Sequence, residues 1–150
     1  MIVLFLLFSA FTPLNCEIDE VRNSFFNVDS EEELVVYLNL CKQSTCQESE
    51  YYLAVATMWQ AEYTYWPNKK YSYFNEGREM LEDLIKKNPQ NVELRFLRYI
   101  VQSSCPPFLG YTDNIESDML HIQQNIKKAN FPTDHKDMIL KTIDFIKAKK

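Results

Sequence analysis

Residues 51–91 read YYLAVATMWQAEYTYWPNKKYSYFNEGREMLEDLIKKNPQN, and the periodicity of this stretch decides the fold class. In its first half Leu53, Ala56, Gln60 and Tyr63 share one helical face, while Ala54, Met58, Ala61 and Tyr65 share the next. Recurrence at three and four residues is the spacing of an α-helix, here expected over residues 48–65. A helix apolar on two faces is expected to be central, packed on both sides. Trp66-Pro67-Asn68 ends it, because proline pushes the residue before it out of helical geometry. A second helix, over residues 70–87, carries the stripe Phe74, Gly77, Leu81, Leu84 and Ile85, and Lys86 and Lys87 suit the negative end of its dipole. Asn88-Pro89-Gln90-Asn91 is a tight connection. This helix pair, with Gly77, Leu81 and Leu84 at packing positions and Pro89 at its end, has the shape of one tetratricopeptide-like unit. Residues 66–70 lengthen its inner turn, and no full second copy is visible.

Working outward, further helices with start and stop signals flank this pair. Ile18, Val21, Phe25 and Val28 line one face of a first helix. Ser30-Glu31-Glu32-Glu33 is a capping box that opens a second, with Leu34, Val35, Tyr37 and Leu38 as its apolar body to about Cys41. Asn91 is placed to cap a helix running to Gln102, and residues 103–111 are irregular, punctuated by Pro106, Pro107 and Gly110. Asp113 and Glu116 are expected to cap the next helix, striped by Ile115, Met119, Ile122 and Ile126. Asn130-Phe131-Pro132 stops it, and Thr133 or Asp134 starts the last, with Ile139, Ile143 and Ile146 facing inward. Only two glycines, Gly77 and Gly110, occur in 150 residues, too few for the tight turns of an all-β chain. The expected fold is all-α: antiparallel helix pairs in a repeat-like single domain of six to seven helices over residues 17–150.

The front of the chain reads differently. Ile2–Phe11 is an apolar run, too short for a bilayer span of roughly 20 residues but suited to the core of a signal peptide. Residues 1–16 are therefore read as an export signal with its cleavage site unassigned, although no Lys or Arg precedes the run. The mature domain is expected to be exported from a bacterial cell, into the periplasm or beyond, with no transmembrane span. A lipid anchor at Cys16 is the lesser alternative, because Asn15 and Pro13 stand where a lipidation motif needs a small and an aliphatic residue. In an oxidising compartment a Cys41–Cys46 bridge would close a short loop between helices; free buried thiols are as well supported, given strict disulfide geometry. The 16 basic against 21 acidic residues leave a net charge of −5, which argues against a nucleic-acid partner.

Three segments carry a resemblance: residues 87–98, KNPQNVELRFLR; Pro107-Phe108-Leu109-Gly110-Tyr111 with Asn114, Ile115 and Asp118; and Phe74-Asn75 with Gly77. Together they are similar to an uncharacterised family of small secreted helical proteins of flavobacteria and related Bacteroidetes. The resemblance covers most of the mature chain, most specifically residues 66–118, and implies origin and export but no activity. Members of that family usually carry Lys near the start, which this chain lacks.

Two groups of residues stand out as candidate contacts. Arg95 and Arg98 flank Phe96-Leu97 on one helix, so a guanidinium there is expected to be partly buried and to need a carboxylate, from Glu62, Glu93 or Asp118. The favoured expectation is a structural ion pair of Arg95 or Arg98 with Asp118 that pins the loop of residues 106–111; the rival is an anionic-ligand site near Phe108 and Tyr111. The second group is the run of aromatics Tyr51, Tyr52, Trp59, Tyr63, Tyr65, Trp66, Tyr71, Tyr73 and Phe74. It offers either a stacking platform or groove, or Trp59 and Phe74 packed inside with boundary tyrosines. Tyr63, Trp66, Tyr71 and Tyr73, with Arg95, Arg98, Phe108 and Tyr111, are the candidate partner or ligand contacts. Asp118-x-x-His121 is a carboxylate–histidine spacing known from di-metal bundles, but such sites need a second copy. No glycine-rich phosphate loop, serine elbow or paired-cysteine metal motif occurs, so no catalytic residue, cofactor or metal is assigned.

The expected function is that of a non-enzymatic exported interaction module binding a protein or peptide of the cell envelope. The alternative is a small-ligand or glycan-binding protein using the aromatic region, with a hydrolase of unknown type third. A closed aromatic cluster would favour the first; an open cleft lined by Tyr63, Trp66, Tyr71 and Arg98 would favour the second.

Overall fold

The computed structural model describes Cys16 and residues 18–149; the apolar run read as a signal lies outside them. The described residues form seven α-helices and two 3₁₀ turns, with no strand among them: α1 (Ile18–Phe25), α2 (Glu31–Gln43), α3 (Ser49–Tyr63), α4 (Pro67–Lys87), α5 (Val92–Ser104), a 3₁₀ turn (Pro107–Leu109), α6 (Ile115–Asn125), a second turn (Ile126–Lys128) and α7 (Thr133–Ala148). The chain is thus all-α with the expected number of helices.

Local chemistry sets most of the ends. At the start of α2 the Glu33 amide donates to Ser30 Oγ at 3.2 Å, while the Glu33 carboxylate reaches back to the Asp29 amide at 2.7 Å, one residue beyond the usual capping-box partner. Asn91 caps α5, its Oδ1 accepting from the Leu94 amide at 3.0 Å. Two expectations are corrected. Pro67 begins α4 rather than merely preceding it, because proline lacks the N–H that the first helical turn leaves unused and its fixed φ suits that position; α3 accordingly stops at Tyr63. Nor do Asp113 and Glu116 cap α6. Asn114 holds the cap position, and it is fixed by Gln102, whose Oε1 accepts from the Asn114 amide at 2.9 Å and whose Nε2 donates to Asn114 Oδ1 at 3.3 Å.

Helices α3 and α4 form a hairpin, and Gly77 sets how closely they approach. A β-carbon at Gly77 would fall on the Ala54 carbonyl oxygen, with Met58 Cγ at 2.6 Å and the Met58 amide nitrogen at 2.8 Å. Two of those neighbours are backbone, so the helices themselves would have to part. Gly77→Ala gains up to about 1 kcal/mol of helix propensity but is expected to lose more through overpacking, for a net destabilisation of about 1–2 kcal/mol. Urea melts decide this, and a variant as stable as the parent would show that the close approach is not required.

The core has two parts joined by α5. Val21, Phe25, Leu34, Tyr37, Tyr52, Val55, Leu81 and Leu97 belong to the first, between α1 and α5. Val92, Phe96 and Tyr99 on the other face of α5 meet Ile122, Ile126, Ile139 and Ile143 of the C-terminal helices. Nine of the thirteen residues of α5 are buried, because it is shared by both parts, while α3 is packed against α1, α2, α4 and α5. Among the buried residues of α5 are Glu93, Arg98 and Gln102, and each polar side chain is matched across to another element.

The cysteine expectation is also corrected. Cys46 is joined to Cys16, tying the entry of α1 to the α2–α3 loop, and no Cys41–Cys46 bridge forms. Cys41 lies on the inward face of α2, 3 % exposed, and burial pushes its thiol up to about 11, so it behaves as a small apolar core residue.

Candidate functional site: an apolar groove beside the proline turn

The loop after α5 is held from several sides. Its 3₁₀ turn is closed by the Leu109 amide donating to Pro106 O and the Gly110 amide to Pro107 O, each at 3.0 Å. Gly110 ends the turn at φ +60°, a left-handed conformation natural to glycine. Tyr111 then turns inward, its ring edge-on to Phe74 at 6.0 Å between centroids, Arg78 above its face at 5.9 Å, and its hydroxyl donating to Glu82. Burial and the Glu82 carboxylate push that hydroxyl up, keeping it a donor. With Tyr111 clamped, Phe108 is left at the tip of the turn, 86 % exposed.

Between this turn, α3, α4 and the end of α5 runs an open groove of about 560 Å³, within the range of sites that hold small ligands or side chains of a partner. Met58, Trp59, Phe74, Val101 and Leu109 form its floor and walls, and Tyr71 and Phe108 stand at its edge. Glu62 and Lys70 contribute one charge of each sign. Cys105 opens onto it, and burial raises this thiol above its usual range, so it stands as a thiol and not as a reactive thiolate.

Of the candidate contacts, Tyr71 and Phe108 line this groove, and Trp66, 67 % exposed, precedes its Pro67 wall. Tyr63 and Tyr73 do not line it, and Tyr111 is buried beneath the turn. Arg95 and Arg98 lie away from it, both on Asp118. Arg98 Nε and Nη2 donate to the two Asp118 oxygens at 2.6 and 2.8 Å, and Arg95 Nη1 donates to Asp118 Oδ1 at 2.9 Å. Arg98 also reaches Glu82 at 2.9 Å, and Arg95 the Pro89 carbonyl through Nε and Nη2. Burial would lower the Arg98 guanidinium, but Asp118 and Glu82 carry it above its ordinary value. Because these guanidinium groups are matched by protein acceptors, the anionic-ligand expectation loses its free charge. Asp118, bound in this way, does not pair with His121, whose Nε2 lies 3.2 Å from the Gln90 carbonyl.

Glu93, one of the carboxylates considered for these arginines, serves a different cation. Arg22 of α1 forks onto it, Nε to Oε1 at 2.7 Å and Nη2 to Oε2 at 2.9 Å. The Tyr52 hydroxyl donates to Oε1, and His135 Nε2 stands 3.3 Å away without the geometry of a hydrogen bond. Burial alone would raise the Glu93 carboxyl, yet Arg22, His135 and Tyr52 together bring it down to about 2. The cluster is sealed from solvent, with Glu93 1 % and Tyr52 0 % exposed, so it braces α1, α3, α5 and α7 against one another and offers no substrate access.

Among the described residues no group of three His, Cys, Asp or Glu side chains stands ready for a metal ion. No helix among them is long and apolar enough to cross a membrane. Compared with known proteins, the chain matches no family model, and no curated protein or solved structure matches it either.

Proposed function

We propose that the protein is an exported, non-enzymatic interaction module that docks an apolar segment of a partner polypeptide in the groove between α3, α4 and the proline turn. The observation that carries this reading is an open, apolar groove with a bulky aromatic, Phe108, presented at its rim by a turn anchored through Tyr111. Holding the surface in place before binding reduces the ordering cost of association, and exposed aromatics beside an apolar pocket are what partner hot spots use. Of the four residues expected in a cleft for small polar ligands, Tyr71 alone lines the groove. A glycan would find few hydrogen-bonding groups on these walls, which favours an apolar occupant. The Cys16–Cys46 bridge fits an oxidising compartment and requires the export signal to be cut before Cys16 rather than after it. The apolar run Ile2–Phe11 and the resemblance to small secreted flavobacterial proteins agree with export. The α3–α4 hairpin, closed on Gly77, supports the likeness to one tetratricopeptide unit.

Selection from a random peptide library on the immobilised protein tests the reading. Recovered peptides should share two or more bulky apolar residues. They should lose about tenfold or more in affinity for Tyr71→Ala/Phe108→Ala, a change at exposed positions that should leave the urea midpoint nearly unchanged. Peptides without an apolar consensus, or with equal affinity for the double variant, would overturn it.

A further inference from the structure

We infer that the segment docked in the groove is a cationic one: bulky apolar residues that fill the groove, followed by Lys or Arg side chains lying along α4. The inference rests on the groove reading above and specifies its partner.

Tyr71 carries the argument, because it belongs to two adjoining surfaces. On one side it walls the apolar groove; on the other it borders a shallow depression on the outer face of α4, with Ser72, Asn75, Glu76, Glu79 and Asp83. An occupant that leaves the groove over Tyr71 therefore runs onto this second surface. The depression holds three exposed carboxylates and no cation. Glu76, Glu79 and Asp83 succeed one another at three and four residues, so they form one stripe about 10 Å long at 1.5 Å rise per residue. An extended chain rises about 3.3 Å per residue, so three or four residues of a partner would span it.

No salt bridge among the described residues compensates these carboxylates. The lysines of the helix, Lys86 and Lys87, follow Asp83 by three and four residues, at the end away from Tyr71. The i, i+4 partner of Glu79 is Asp83, a like charge that slightly destabilises a helix. Arg78, next in sequence, is turned over the Tyr111 ring. Glu82, by contrast, is engaged by Arg98 and Tyr111. The helix thus carries one structural carboxylate, Glu82, bound by Arg98 and Tyr111, and three on its outer face that stand in no described salt bridge, beside the groove. The same charge disfavours a fatty acid in the groove. Lys70 at the groove wall would welcome its carboxylate, but Lys70 is offset there by Glu62, and the surface beyond Tyr71 repels anions.

Three synthetic peptides with one leucine- and phenylalanine-rich anchor, followed by lysines, serines or glutamates, test this, with dodecanoate as a fourth probe. Binding is read from the fluorescence of Trp59 in the groove and Trp66 beside it, in the full chain and in Glu76→Gln/Glu79→Gln/Asp83→Asn. The lysine peptide should bind about tenfold more tightly than the serine peptide, the sum expected of a few exposed ion pairs. That advantage should vanish in the triple variant and at high salt, while the serine peptide keeps its affinity for both proteins. Equal binding of the lysine and serine peptides, or an advantage that survives in the triple variant, would overturn the charge inference and leave the groove reading standing. Binding of none of the peptides, or of dodecanoate alone, would overturn both.

Discussion

Glu93→Ala is expected to lower the free energy of unfolding by about 3–5 kcal/mol, the usual cost of leaving one partner of a buried ion pair alone. Glu93 is among the larger fully buried side chains, so its truncation leaves a void as well as an unmatched charge, and the charge is the larger loss. Arg22 would keep its guanidinium in a site 7 % exposed, compensated by a 3.4 Å contact to the solvent-facing Asp19 and by the face of the Phe131 ring at 5.3 Å. The Tyr52 hydroxyl would lose its acceptor at the same time. A control separates charge from packing: Arg22→Met/Glu93→Leu removes both charges and should recover most of the stability. Acid should reproduce the effect on the parent protein. The Glu93 carboxyl is held at about 2 against an ordinary value of 4.5, so its contribution is complete above that ordinary value and is lost as the pH falls from there toward 2. That is a loss on the order of 3 kcal/mol, in a cluster whose facing groups are Arg22, Tyr52 and His135, with Asp19 at its edge. Urea melts at neutral pH and near pH 3, where about 2 kcal/mol of that loss is in force, measure it. A Glu93→Ala protein with the parent's stability and the parent's pH profile would show that the cluster is not a brace.

The elements of this fold were legible in the sequence to the degree that local chemistry fixes them. Ser30 and Asn91 announce their helices because a cap bond spans only three residues, and the stripe from Phe74 to Ile85 is inward because its period is helical. Pro67 was misplaced because the same residue that disfavours the helix before it also favours the one after it. What could not be read was pairing over distance. Arg22 and Glu93 are 71 residues apart, and nothing in the local pattern of α1 distinguishes a lone arginine that will be buried from one that will not. Cys46 had Cys41 close in sequence and took Cys16 instead, because helical geometry turns Cys41 into the core. The groove shows the same limit. Tyr71 and Phe108 stood among the candidate contacts with nothing local to set them apart from Tyr63, Tyr73 or Tyr111, and Val101 and Cys105 line it only because α5 ends beside α3 and α4.

Asp118→Ala should destabilise by about 2–4 kcal/mol, less than the loss of Glu93 because one of the stranded arginines retains a carboxylate. Asp118 is 0 % exposed and accepts from both Arg95 and Arg98. Without it, Arg98 keeps Glu82, and Arg95 keeps the Pro89 carbonyl and partial contact with water. Arg98→Ala should therefore cost more than Arg95→Ala, and urea melts of the three single variants rank them directly. If Asp118→Ala melts within about 0.5 kcal/mol of the parent, the range of uninvolved surface sites, the ion pairs are not structural. The consequence for the groove follows from connectivity. Asp118 on α6 holds Arg98 on α5, Arg98 holds Glu82 on α4, and Glu82 accepts the hydroxyl of Tyr111, whose clamping leaves Phe108 at the groove's edge. Removing the first link should leave Glu82 free to follow Arg98 and loosen the turn. Apolar peptides should then bind Asp118→Ala more weakly, although Asp118 itself does not line the groove.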